Sequence, residues 1–69
     1  MENIDRLLEV FLKLVKSHTS GSRVEFSVNH GRDEIIIIVA SSGFLREMYQ
    51  NDSLVAHQGR SGIVLQMFK

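Results

Sequence analysis

The strongest constraint on this chain is a run near its middle. From Ile35 to Ala40 it reads IIIIVA, with no polar residue between the apolar ones. The β-branched residues make the run a strand rather than a piece of helix. A strand with one wet face alternates apolar with polar, and this one does not. Both faces therefore need cover, in a chain of only 69 residues.

A chain this short forms one domain at most, so residues 1–69 are read as a single α+β domain. It buries only roughly 60% of the surface its unfolded form exposes, and domains of this size often need a staple. The sequence has no cysteine, which excludes disulfides and thiolate metal sites and fits a reducing compartment. A partner subunit is then the most available staple. With 43% hydrophobic and 23% charged residues, the composition is that of a globular protein rather than a disordered one.

Eight basic and eight acidic side chains leave a formal net charge of zero. That argues against strong non-specific binding to nucleic acid, which needs concentrated Lys and Arg. No apolar run approaches the roughly 20 residues of a membrane span. The start, Met1-Glu2-Asn3-Ile4-Asp5, lacks the basic residues of a secretory signal. The expected location is cytoplasmic.

Ile4, Leu7, Leu8, Phe11, Leu14 and Val15 follow the i, i+3, i+4 spacing of an amphipathic helix running to Ser17 or His18. Asn3 is its expected cap, and Asp5 and Lys16 suit the two ends of the helix dipole. Glu9 and Lys13 form an i, i+4 pair. Val10 and Leu12 widen the apolar stripe beyond what one sheet requires. Ser17 to Ser22, with Gly21, ends the helix.

Arg23 to Asn29 alternates cleanly, with Val24, Phe26 and Val28 on one face. Asn29 to Asp33 is a hairpin-length turn leading into the strand Glu34–Ala40. Ser41 or Ser42 caps a short helix carrying Phe44, Leu45, Met48 and Tyr49, and Asn51-Asp52-Ser53 stops it. Leu54 to His57 suits either a helical extension or a short strand. Gln58 to Gly62 is a glycine-punctuated turn, and Ile63 to Phe68 is the last strand. The expected fold is α+β, a small antiparallel sheet with one long N-terminal helix and one short helix, in the order α-β-β-α-β, with Leu54 to His57 as an optional extra strand.

The long helix covers one face of the isoleucine strand. The second face is left either to the short helix or to a second copy of the chain. Two or three uncovered isoleucines each forgo roughly 1.5–3 kcal/mol of burial, a heavy loss for a marginal domain. Closed twofold pairs are the commonest assemblies, so a homo-oligomer, a dimer first of all, is expected. Its self-association residues are Ile36, Ile38, Val64 and Phe68, with Val10 and Leu12 as helix-side alternatives.

No catalytic constellation is present. His18, His30 and His57 lack the spacing of a helix-borne metal pair and read as surface groups. Asp33 and Glu34 are neighbours on a strand, so they point to opposite faces and make no acid/base pair. They read as a turn residue and an exposed strand start. Val39 to Phe44 has the strand–turn–helix layout of a phosphate site but none of its motifs. Gly59-Arg60-Ser61-Gly62 spells the G-x-x-G of an RNA-binding loop, yet it precedes a strand where that loop joins helices. A tight turn is the better reading.

The expected function is that of a non-enzymatic protein-binding or regulatory protein, without cofactor or metal, acting as a homo-oligomer on an unidentified protein partner. The alternative is a nucleic-acid-binding protein using Arg23, Arg32, Arg46 and Arg60, should they converge on one anion-binding surface.

Overall fold

The computed structural model describes residues 3–18 and 23–68. Met1, Glu2, Lys69 and most of the turn expected at 17–22, including Gly21, lie outside that description. The elements are α1 (Asn3–Ser17), β1 (Glu25–Asn29), β2 (Glu34–Val39), α2 (Ser42–Tyr49), β3 (Leu54–Gln58) and β4 (Ile63–Met67). A single 3-10 turn, His30–Arg32, joins β1 to β2.

The apolar spacing of α1 places Ile4, Leu7 and Phe11 inward, where all three are buried. Asn3, read as a cap, is the first described residue of the helix. Glu9 and Lys13 lie 3.7 Å apart on the outer surface, where such a pair adds little stability. Ser41 caps α2 as expected: its Oγ accepts a hydrogen bond from the Phe44 N–H at 3.2 Å.

The four strands form one antiparallel sheet in the order β1-β2-β4-β3. Leu54 to His57 is therefore a strand, and the order lengthens to α-β-β-α-β-β. Both β2 and β3 run antiparallel to β4, so they are parallel to each other. With α2 between them in sequence and β4 between them in space, they make a split β-α-β unit. β2 occupies an interior place, as its apolar run requires.

Both helices pack on the same face of the sheet. The core joins Ile4, Leu7 and Phe11 of α1 to Phe44 and Met48 of α2, and these meet Ile35, Ile37, Leu54 and Leu65. Phe11 is the hub, with ring centroids 4.8 Å from Phe26 and 5.8 Å from Phe44 in edge-on geometry. The short helix thus does not cover the second face of the isoleucine strand. It is too short to do more than complete the first layer, and its two buried anchors are both used there.

The turns explain themselves locally. Asp33 sits in the left-handed region at φ 52°, where Asp and Asn are better tolerated than most residues. Gly59 donates its N–H to the Gly62 carbonyl at 2.8 Å, closing a short loop over Arg60 and Ser61. The G-x-x-G spelling is thus a hairpin. Gly62 has φ +154°, and a Cβ there would come within 2.3 Å of the Ile37 carbonyl oxygen, so no other residue fits.

Candidate interaction surface

The face opposite the helices is set by the strand register. Ser27 pairs with Ile36, Ile36 with Val64, and Val64 with His57, so the four form one row across the sheet. The neighbouring row holds Asn29 and Glu34 on β1 and β2, then Gln66 and Val55 on β4 and β3. Ile36 and Val64 are half-buried at the centre, and Val55 is exposed at the margin.

The alternation of β2 breaks once. Phe26 pairs with Ile37 but Glu25 pairs with Val39, which leaves Ile38 without a partner on β1. This is a β-bulge. In unbroken alternation Val39 would join Ile35 and Ile37 in the core. Instead both Ile38 and Val39 emerge, and Ile38 is 56% exposed. The isoleucine run is thus half core and half surface.

Glu34, expected as an exposed strand start, is buried at 8% exposure. Its Oε2 accepts a hydrogen bond from Gln66 Nε2 at 3.0 Å, and Arg32 Nε lies 4.0 Å from Oε1. Burying a carboxylate is tolerable only with such partners. Glu25, at the opposite end of β1, is paired with Arg23. The two carboxylates bordering this face are each held by an arginine of the same chain.

The arginines do not gather on one surface. Arg23 precedes β1 at the end of the sheet that also holds the Arg60 loop, because Glu25 pairs with Val39 at one flank and Gln58 with Ile63 at the other. Arg32 lies at the opposite end, in the β1–β2 turn, and Arg46 stands on α2.

The six residues expected in self-association also separate. Ile36, Ile38 and Val64 share the sheet's open side. Val10 packs at the margin of the chain's own core, and Leu12 is exposed on α1. Phe68 follows β4, 65% exposed, with its N–H donated to the Ser53 carbonyl at 2.8 Å. The sequence reading missed Val55, whose segment was undecided, and the Glu34–Gln66 contact, whose members are far apart in the chain.

The histidines divide as well. His30 and His57 are exposed, whereas His18 is not the surface group expected of it. Its ring stacks edge-on against Phe44 at 5.6 Å, and its Nε2 lies 2.9 Å from Glu47 Oε2. That nitrogen makes no aligned hydrogen bond, so the contact is a close approach between the residue that follows α1 and the last turn of α2. Among the described residues no group of three or more His, Cys, Asp or Glu side chains is placed to hold a metal ion. No helix among them is long and apolar enough to cross a membrane.

Fold and face define a two-layer α+β sandwich in which, among the described residues, both helices lie on one face of the sheet. Comparison of the chain with protein-family models, curated proteins and solved structures finds no match in any of the three.

Proposed function

We propose that this chain is a non-enzymatic, cytoplasmic protein-interaction module that works as a homo-oligomer and meets its second copy through the open sheet face. One observation carries the reading: both helices lie on the other side, so among the described residues no helix covers the half-buried Ile36–Val64 pair or its exposed neighbours Ile38 and Val55. Burying each aliphatic side chain returns roughly 1.5–3 kcal/mol, a large sum beside a domain stability of about 5–15 kcal/mol. The face has the make-up of an interface, with an aliphatic centre and a polar rim of Ser27, Asn29, His57 and Gln66.

The same face favours a protein over a nucleic acid. Sheets that bind single-stranded RNA stack several bases on aromatic side chains, and of the face residues named here just His57, at the margin, carries an aromatic ring. The Glu34 carboxylate bordering it is held by Gln66 and Arg32, and a carboxylate offers phosphate no attraction. Sedimentation equilibrium at micromolar concentration tests the proposal. The expected mass is a multiple of the 7.8 kDa chain, and a strict monomer would overturn it.

A further inference from the structure

The sheet has two free edges, and they are unlike. β1 pairs with β2 across the bulge that β2 makes at Ile38, and it is flanked by the Arg23–Glu25 ion pair. Bulges and charges are the devices by which proteins blunt an edge against further pairing. β3, reading Leu54-Val55-Ala56-His57-Gln58, has no Lys, Arg, Asp, Glu or Pro. Its five residues pair with β4 without a shift of register. We propose that β3 is a strand-addition edge that takes β3 of a second copy, making one continuous sheet of both subunits.

The hydrogen-bond phase supports a self-paired edge. Phe68 donates its N–H to the Ser53 carbonyl, and Gly59 donates to the Gly62 carbonyl. Carried one step outward at each end, the β3–β4 register pairs 53 with 68 and 59 with 62, so these bonds mark the two ends of the ladder. Bonded pairs alternate in an antiparallel ladder, so Val55 and His57 bond β4. Leu54, Ala56 and Gln58 therefore aim their backbone groups outward, at the free edge. The Leu54 N–H is already held by the Asn51 carbonyl.

A second β3 docked antiparallel about a twofold axis at Ala56 matches this set. Ala56 exchanges both its bonds with the partner's Ala56, and each Gln58 N–H meets the partner's Leu54 carbonyl. The strand is chemically self-complementary, free of Lys, Arg, Asp and Glu and with its smallest side chain on the axis. Because that axis stands normal to the sheet, both open faces end up on the same side. Edge pairing thus extends the apolar surface assigned above to self-association. It shares the second copy with that reading but uses a different surface.

The two surfaces are separable by mutation. Ala56→Pro removes an outward N–H and no bond to β4, a position where an edge strand tolerates proline. Ile36→Asp places a charge on the open face. Sedimentation equilibrium at micromolar concentration is expected to give four chains for the wild type, two for each single variant and one for the double variant. An Ala56→Pro mass equal to wild type would overturn the edge pairing. An Ile36→Asp mass equal to wild type would overturn the face contact and leave the edge standing, and a monomeric wild type would overturn both. Far-UV circular dichroism checks that each variant is folded. If Ala56→Pro is not, Gln58→Pro replaces it, since its N–H also points outward and its side chain is exposed.

Discussion

Ile36 and Val64 stand opposite each other on adjacent interior strands, on the face that neither helix reaches. One residue back, Ile35 and Leu65 make the equivalent pair on the other face and are fully buried beneath α1 and α2. Two neighbouring isoleucines of one strand thus have opposite roles. Ile35 belongs to the core, whereas Ile36 stands half-buried on the face away from the helices.

That contrast is directly testable. Ile35→Asp puts an unpaired charge among the core residues, a change expected to remove about 4 kcal/mol or more of stability. Ile36→Asp faces outward and should remove only about 1–2 kcal/mol from the folded subunit. Far-UV circular dichroism and urea titration should show Ile35→Asp largely unfolded and Ile36→Asp folded with a lower solution mass. Equal unfolding by the two would mean that the faces are not distinct.

Gly62 should be the least replaceable glycine among Gly31, Gly59 and Gly62. Its positive φ and its approach to the Ile37 carbonyl both exclude a side chain. Gly62→Ala is expected to cost about 2 kcal/mol, within the range for strained backbone conformations. At Gly31 an added Cβ meets only Asn29 Oδ1 at 3.6 Å, an ordinary contact. Gly31→Ala should therefore be neutral, or stabilising by about 0.4–1 kcal/mol through the unfolded state. Urea midpoints compared under one buffer decide this.

Local features of the fold were legible in the sequence. The spacing of Ile4, Leu7 and Phe11, the alternation of Val24, Phe26 and Val28, and the Ser41 cap are all encoded within a few residues. The second face of the isoleucine strand was not. Which side α2 takes depends on Phe44 and Met48 meeting Phe11 and Leu54, contacts between distant segments. Leu54 to Gln58 is too short for periodicity to separate strand from helix, and only pairing with β4 settles it. Glu34 looked exposed because its partner, Gln66, lies 32 residues away. The bulge that frees Ile38 and Val39 leaves no mark in a run of similar side chains.

The spread of arginines yields a negative prediction. Arg23 and Arg32 are drawn to Glu25 and Glu34, while Arg46 and Arg60 stand on different elements. Nucleic-acid affinity resting on phosphate contacts rises steeply as salt falls. Labelled single-stranded RNA and duplex DNA should therefore show no change in anisotropy with micromolar protein at low salt. A salt-dependent rise, lost in Arg32→Ala or Arg60→Ala, would favour the nucleic-acid reading over the protein one.

Ser41→Ala isolates the N-terminal cap of α2. The Ser41 hydroxyl satisfies the Phe44 N–H, and Phe44 is itself a fully buried member of the core. Loss of such a cap costs about 1 kcal/mol, with a range of roughly 0.5–2. Ser42, the first residue of the helix, is exposed, so Ser42→Ala should change stability by less than about 0.5 kcal/mol. Because the cap lies on the helix side, away from both the open face and the β3 edge, neither serine variant should alter the assembly mass once each is folded. Urea midpoints read the first effect and sedimentation the second. A Ser41→Ala protein that is folded but dissociated would show that α2 takes part in assembly.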